Sequence, residues 1–461
     1  MKKPLTKLIK TFYGIGDMGF TLMTNVESYL FIFFLTNIAK FSASTVIILG
    51  LICSIADAVM SPIYGGVVSG TKPMKWGRNR SWMLIMPPIT VIFYTLMFTK
   101  IGSELSAAII IIVGFVVSHF CMSIAYVGNF SLVRVLANNP EERALLASRR
   151  GAWTSAAGIA YSYLGTPLLG LIAVILGSEG ASYTGLIFVL STLFMILYYF
   201  VFAITKGYEP IEDVESSVDK TVKNKVTMGE MLKNLYQNPS LMVLIFGDFM
   251  RYIANFVLVA SLVYYFTYIA QSMTLMPLYI LFGGLIQVLG SFASGPLSKK
   301  FSNKGATVIA MFGVAGFELI ARTLGYNVNA VFAMLLCYRF FHGIGISSFS
   351  TLYADSSIYG EWKTGVNAAP FVMGLTNVSI KVAVVLRSTI IPLVLAVVGF
   401  NASIAPEAAS VAVKNGVLNM FLLIPGCCTL VCALLLLGFY KITNEKLEMY
   451  QKEIDGRKAT A

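Results

Sequence analysis

Apolar residues occur in long runs along the whole chain, and short polar breaks separate these runs. Each run is about 20 residues long, which is the length that an α helix needs to cross the hydrocarbon core of a bilayer. Closed β-barrels, the other structures that span membranes, would need short alternating segments that the sequence lacks. The pattern therefore predicts an all-α membrane protein with twelve transmembrane helices. The predicted spans are residues 12–37, 44–68, 81–100, 106–135, 151–176, 184–205, 241–269, 275–297, 305–324, 329–356, 367–400 and 415–440.

The longest polar stretch divides these spans into two groups of six, as in transporters built from two six-helix halves. A weak internal repeat supports the division, because residues 69–80 and 294–305 both carry a small-residue turn and a basic cluster after the second span of each half. The predicted regions are an N-terminal six-helix half at 1–205, a cytoplasmic linker at 206–240, a C-terminal six-helix half at 241–440 and a cytoplasmic tail at 441–461.

The charge of the chain supports this topology. Only 12% of the residues are charged, whereas soluble proteins have about 25%. If the N-terminus is cytoplasmic, most of the 34 lysines and arginines lie in or beside cytoplasmic segments, as the positive-inside rule requires. The net charge of +12 therefore indicates cytoplasmic termini and contact with anionic membrane lipids rather than with nucleic acid. Simple tails without organelle signals favour a bacterial inner membrane, and we expect a monomer.

Four motifs occur in order along the chain. They are residues 13–19 (YGIGDMG), residues 57–62 (DAVMSP) with 76–82 (WGRNRSW), residues 139–143 (NPEER) with Ser148 and Arg150, and residues 355–365 (DSSIYGEWKTG). Together they resemble the motifs of the glycoside–pentoside–hexuronide:cation symporters, the melibiose-permease-like branch of the major facilitator superfamily. The resemblance implies the major facilitator fold and secondary transport of a sugar by alternating access, coupled to H⁺ or Na⁺. The last motif is the most specific, and we expect it to form a loop before the eleventh span.

A polar face of the second predicted span is the candidate cation site. Ser54, Asp57 and Ser61 are spaced i, i+3 and i+7 and so share one helix face, and a costly intramembrane charge tends to face a cavity or a partner. In the symporters that the chain resembles, two carboxylates of a D-x-x-x-D-P motif line the cation site, and Ser61 stands at the second of these positions. One carboxylate favours H⁺ coupling or uncoupled transport over Na⁺, although a serine hydroxyl also binds Na⁺. The alternative is a structural hydrogen bond from Asp57 to a neighbouring helix.

A polar stripe in the first predicted span is the candidate substrate surface. The stripe faces either the substrate or another polar helix, and it consists of Asp17, Thr21, Thr24, Asn25 and Ser28. The resemblance places Thr21 and Tyr126 where melibiose-type members carry the two carboxylates that bind the sugar. It also places Arg150 and Lys381 beside the substrate path. Without the two acids, Arg150 and Lys381 would lack a counter-charge, so a hexuronide is the expected substrate.

Other ionisable residues within the spans have structural explanations. Asp248 and Arg251 are spaced i, i+3 and are expected to pair within one helix. Glu318 and Arg322 are spaced i, i+4 near a membrane surface, where we expect a weak salt bridge.

Few residues suit metal or proton chemistry. The six cysteines lie inside apolar runs without metal-ligand spacing, so they are expected to pack, and no metal site is predicted. Glu27 lies off the polar stripe and is expected to pair elsewhere. His119 is expected to be a packing residue, and His342 either packs or shuttles protons.

The sequence contains no nucleotide-binding loop and no hydrolytic triad, so it is not expected to be an enzyme, and no cofactor is expected besides the coupling ion. The leading hypothesis is a secondary transporter of a glycoside-type sugar. Two alternatives remain open: a transporter of lipid-like or drug-like amphiphiles, and a non-transporting sugar sensor.

Overall fold

A computed structural model describes residues 3–72, 74–209, 235–365 and 369–460, which form helices joined by short turns. The helices are α1 (Lys7–Phe12), α2 (Ile15–Phe33), α3 (Ala43–Gly70), α4 (Arg78–Met97), α5 (Glu104–Leu136), α6 (Pro140–Leu164), α7 (Thr166–Leu176), α8 (Glu179–Ile204), α9 (Pro239–Tyr264), α10 (Leu275–Thr323), α11 (Val328–Thr364), α12 (Ala369–Val397), α13 (Val411–Leu418), α14 (Ile424–Phe439) and α15 (Asn444–Thr460). Most of the predicted linker at 206–240 lies outside the described residues.

The described residues contain 11 helical stretches that are long and apolar enough to cross a membrane. One of them is α10, whose 49 residues would extend roughly 70 Å as a single helix, more than twice the thickness of a bilayer core. Ser302, with φ 68° and ψ 165°, divides α10 into two helices. The prediction of an all-α membrane protein with twelve spans is therefore confirmed. The expectation of a loop at 294–305 is wrong, because only Ser302 leaves the helical conformation there.

Side-chain caps explain where many of these helices begin. Ser, Thr and Asn at the residue before a helix accept a hydrogen bond from a backbone N–H of the first turn, which would otherwise lack a partner. The distances range from 2.7 Å at Asn139, before α6, to 3.5 Å at Ser178, before α8. The other such caps are Thr6, Ser42, Ser103, Asn238, Asn327 and Ser410.

Contacts between Cα atoms group the described residues into two compact units. Unit 1 contains the described residues up to 209, with 273–281 and 401–403, and unit 2 contains the other described residues. In unit 1, α2 packs against α6 and α8, and α4 packs against α5 and α8. In unit 2, α9 packs against α12 and α14. Helices α4 and α5 approach closely at Gly114, where an added Cβ would lie 2.8 Å from the backbone oxygen of Phe93.

The two units repeat one local backbone design. The first long helix of each unit ends in a turn of π helix, at Phe34–Ile38 in unit 1 and at Tyr265–Ile269 in unit 2. A residue with positive φ follows each π turn, Lys40 at 54° and Gln271 at 49°. Because non-glycine residues rarely adopt positive φ, finding the same order of features twice supports the internal repeat that the basic loops suggested.

The motif at 355–365 is helical, which corrects the expectation of a loop. Helix α11 continues to Thr364 and ends at Gly365, which has φ 71°. Polar residues end an apolar run but do not end a helix, and the segment contains no proline before the left-handed glycine that stops it.

The predicted tail also forms a helix, α15, and this helix packs against the end of α11. The indole N–H of Trp362 donates to Glu453 at 2.7 Å, and the rings of Trp362 and Tyr450 lie 4.4 Å apart. Burial raises the pKa of the Tyr450 hydroxyl above its ordinary value. The C-terminal helix therefore anchors the most specific motif of the chain.

Candidate substrate and cation sites

A buried ion pair joins α2 to α6 in unit 1. Arg150 donates from Nε to Asp17 Oδ2 at 2.7 Å and from Nη2 to Oδ1 at 2.5 Å, and the two side chains are 10% and 4% exposed. Asn129 of α5 also donates to Asp17 Oδ2, at 3.4 Å. This two-bond geometry is the strong form of an arginine–carboxylate contact. It depends on close packing of the helices, because a Cβ on Gly14 would lie 2.6 Å from the backbone oxygen of Arg149.

Aromatic rings surround the guanidinium of this pair. The rings of Phe130 and Tyr126 have their centres 4.6 Å and 5.6 Å from the Arg150 Cζ, within the range of cation–π attraction. Phe20 of α2 stacks on Tyr126 at 4.3 Å. Phe130 is 58% exposed, so an exposed apolar ring lies beside a largely buried charged pair.

The structure brings together three of the six predicted substrate residues: Asp17, Tyr126 and Arg150. Thr21 and Asn25 are half-buried on α2. Sequence analysis missed Asn129 and Phe20. Asn129 had a signal, since it is an amide inside an apolar run, whereas Phe20 is one of 32 phenylalanines and had none.

The charge argument for an acidic substrate needs correction. Arg150 was expected to lack a counter-charge, but Asp17 supplies one. Lys381 lies on α12 in unit 2, where it is half-buried and is not without an interaction partner. The argument that two uncompensated cations favour a hexuronide therefore no longer holds.

The predicted cation residues on α3 do not share one environment. Ser54 is buried, Asp57 is half-buried and Ser61 is exposed, so their common helix face does not form a single closed site. Tyr64 donates its hydroxyl to Asp57 Oδ1 at 3.1 Å. This tyrosine was missed, although its spacing of i, i+7 from the acid places it two turns along the same face. The role of all three predicted residues in cation coupling stays a prediction.

Unit 2 contains a separate cavity of about 250 Å³ that is lined by both apolar and charged side chains. Arg251 Nη2 lies 2.6 Å from Asp248 Oδ1, which confirms the predicted pair, and Tyr353 donates to Asp248 Oδ2 at 3.0 Å. His342 also lines the cavity, and its Nε2 is a buried atom without a hydrogen-bond partner among the described residues. The cavity therefore combines charged groups, aromatic rings and an available imidazole nitrogen.

The other predicted intrahelical pair does not form. Arg322 donates from Nε to Asn419 Oδ1 at 2.7 Å instead of to Glu318. Glu318 is 1% exposed, and its Oε2 has no hydrogen-bond partner in the described part of the chain. The expectation of a salt bridge at the membrane surface is wrong because Glu318 faces the interior of the unit.

The chain is similar to known transport proteins. The family described as MFS/sugar transport protein matches residues 12–444. An isoprimeverose transporter of Lactiplantibacillus pentosus is 24% identical over 402 residues, which cover 86% of this chain and 81% of the relative. A glucuronide carrier protein homolog of Escherichia coli (strain K12) is 24% identical over 457 residues, which cover 97% and 95%.

Solved structures show the same fold. The crystal structure of a D-xylose-proton symporter aligns with a TM-score of 0.64 and 14% identity, covering 95% of this chain and 98% of that one. At this identity the similarity concerns the fold alone, and it supports the major facilitator architecture that the motifs implied.

Proposed function

The chain belongs to the MFS/sugar transport protein family, and from this premise we propose that it carries a glycoside-type sugar across a membrane by alternating access. This family consists of transporters, so the chain is not an enzyme. The relatives named for isoprimeverose and glucuronide support a sugar as the substrate.

The Asp17–Arg150 pair with its aromatic rings is the observation that carries the proposal. Sugar hydroxyls need both donors and acceptors, which the guanidinium and the carboxylate provide within one contact. The less polar face of a sugar ring needs an apolar surface, which Tyr126 and Phe130 provide beside the same guanidinium. Thr21, Asn25 and Lys381 remain proposed contacts.

Hexuronides are the first substrate class to test. Asp17 binds the Nε and Nη2 edge of the Arg150 guanidinium. The carboxylate of an acidic sugar can compete with Asp17 and bind the guanidinium in the same two-bond geometry. The glucuronide relative supports an acidic sugar, whereas the isoprimeverose relative supports a neutral one.

Transport is proposed to be coupled to H⁺ or Na⁺ through Asp57, with Ser54 and Ser61 beside it. No resident cofactor is proposed. The asymmetry of basic residues supports cytoplasmic termini in a bacterial inner membrane, and the protein is proposed to work as a monomer in contact with anionic lipids.

Uptake into liposomes that contain the purified protein tests this function, with hexuronides, neutral glycosides and lysolipids compared with and without Na⁺. We expect uptake of a sugar. We expect Arg150→Gln to reduce this uptake at least tenfold, which corresponds to a free-energy difference of about 1.4 kcal/mol or more. Arg457→Gln is the matched control, because Arg457 is an exposed arginine that pairs with Glu453 at 3.5 Å on the C-terminal helix.

Three other outcomes would contradict parts of the proposal. Uptake of lysolipids alone would select the amphiphile transporter. Binding of a sugar, seen as thermal stabilisation, without any flux would select the sensor. Uptake of hexuronides that is unchanged in Lys381→Ala would remove Lys381 from the substrate site.

A further inference from the structure

A second buried acid–base pair lies between α2 and α5 in unit 1. His119 Nε2 is 3.0 Å from Glu27 Oε2, and the two side chains are 9% and 14% exposed. The other ring nitrogen, Nδ1, is 3.0 Å from the backbone oxygen of Phe115. The Phe115 ring stacks on the imidazole at 3.7 Å. Both atoms of the imidazole that can bind hydrogen therefore have fixed partners.

These partners locate a proton. A backbone carbonyl oxygen only accepts hydrogen bonds, so Nδ1 carries the hydrogen in its contact with Phe115. In a neutral ring, Nε2 then has a lone pair that points at a carboxyl oxygen, and two lone pairs at 3.0 Å repel each other. One proton must lie between Nε2 and Oε2 to form the observed contact. The geometry of the pair therefore corresponds to its proton-loaded form.

Release of this proton would be costly while the contact lasts. The loaded pair, with the proton on the ring as an imidazolium beside the carboxylate, has no net charge, whereas the unloaded pair has a net charge of −1. A net charge within a span is energetically unfavourable. Loss of the proton also removes the hydrogen bond that joins α2 to α5, so unloading favours separation of these two helices.

The neighbouring helices add one acid and several neutral groups. Asp57 of α3 is close enough to act electrostatically on His119. The Tyr94 ring lies 6.2 Å from the imidazole, and its hydroxyl donates to the backbone oxygen of Met23 at 2.8 Å. The titratable groups of neighbouring helices that interact with the pair are Asp57 and Cys53 on α3 and Tyr94 on α4.

We propose that Glu27 and His119 form the site that binds and releases the coupling proton. The proton binds to Nε2, and the N–H bond that forms donates to Oε2 and neutralises the pair; the same N–H bond breaks when the proton later leaves to the other side. Histidine suits this role because its charge changes near neutral pH. The inference rests on the proposed transport function and names H⁺ as the coupling ion. It places binding of the proton at this pair rather than at Asp57, which lies close enough to act on His119 electrostatically.

Glu27→Gln is the variant that tests the site with the least change in packing. The glutamine amide donates to the Nε2 lone pair, so the contact between α2 and α5 is kept, but no proton has to be exchanged. In liposomes with an imposed gradient of about one pH unit, the unmodified protein is expected to accumulate its sugar up to about tenfold per proton. In Glu27→Gln, the ratio of sugar inside to sugar outside the liposomes is expected to reach only about one, while exchange of labelled for unlabelled sugar continues.

The matched control is Glu104→Gln, which changes an exposed acid at the start of the same helix α5, where it accepts from the Ser42 hydroxyl at 2.8 Å. The control is expected to keep gradient-driven accumulation. Accumulation that persists in Glu27→Gln would overturn the proposal.

A second measurement does not depend on any solute. The chain contains two histidines, so nitrogen NMR of histidine-labelled protein gives two sets of ring signals, and His119→Asn identifies those of His119. We expect the ring to change its protonation state between about pH 5 and about pH 9. A ring that keeps one state over this range would overturn the proton site. If the ring titrates but no sugar is transported, the proton site stands and the proposed substrate fails.

Discussion

Removal of one partner of the Asp17–Arg150 pair is expected to destabilise the protein more than removal of both. In Arg150→Gln, Asp17 stays 4% exposed in the interior with Asn129 as its remaining donor at 3.4 Å. Leaving one charge of a buried pair without its partner typically costs about 3–5 kcal/mol. In the double variant Asp17→Asn with Arg150→Gln, two neutral amides can bond to each other, so most of this loss is expected to be recovered.

Thermal unfolding in detergent measures this effect. For a domain of this size, 1 kcal/mol corresponds to about 2–4 °C, so the midpoint of Arg150→Gln is expected to fall by about 10 °C. Arg457→Gln breaks an exposed pair whose side chains are 56% and 47% exposed. Such surface pairs contribute about 0–1 kcal/mol, so its midpoint is expected to change by no more than about 4 °C.

Two results would refute this reasoning. A shift in Arg150→Gln no larger than that in Arg457→Gln would mean that Asp17 is not deprived of a necessary partner. A double variant as unstable as the sum of the single variants would mean that the pair contributes through packing and not through charge. A stable double variant that no longer transports would separate the structural role of the pair from its proposed role in binding.

Further variants test the packing around these sites. Gly14→Ala is expected to lower stability by about 1–3 kcal/mol, because its Cβ would lie 2.6 Å from a backbone oxygen. Gly158→Ala is the control and is not expected to lower stability, because open space surrounds Gly158. Equal unfolding midpoints of the two variants would contradict this prediction. Glu209 accepts three hydrogen bonds of 2.7–2.9 Å at the start of α4, so Glu209→Gln is expected to cost about 1.5–3 kcal/mol, again as a lower midpoint. Trp362→Phe removes the 2.7 Å bond to Glu453 and is expected to make α15 more sensitive to limited proteolysis, and unchanged cleavage would refute the anchoring role.

The spans were predictable because bilayer thickness sets the length of an apolar run, but the ends of two helices were not. Residues 294–305 and 355–365 were expected to be loops because polar residues interrupt the apolar pattern there. Helix ends depend on backbone conformation instead, and the described breaks are at Ser302 and Gly365, which both have positive φ. A serine with positive φ has no sequence signal, because residues other than glycine rarely adopt this conformation.

Contacts within one helix were predictable only where no distant partner competes. Asp248 and Arg251 pair as their spacing indicates. Arg322 instead binds Asn419, a residue 97 positions away, which no local spacing could identify. The same reason explains why Asp17 and Arg150 were both chosen as substrate residues and yet were not expected to neutralise each other across 133 positions.

The internal repeat gives these ion pairs a common origin and different consequences. Asp17 stands as many residues before the π turn at Phe34–Ile38 as Asp248 stands before the one at Tyr265–Ile269, and each is buried and paired with an arginine. In unit 2 the arginine belongs to the same helix, so the pair neutralises charge without joining two helices ionically. In unit 1 the arginine belongs to another helix, so the pair connects α2 to α6.

Helix α2 is therefore joined ionically to α6 through Asp17 and to α5 through Glu27. On the proposed assignments, the solute competes for the partner of the first acid, and the proton neutralises the second. Each transported species then alters a different contact of the same helix. The solute and the proton therefore need no direct contact to be coupled. When binding of one of them shifts α2, the shift changes the distance between the two partners of the ion pair at which the other binds.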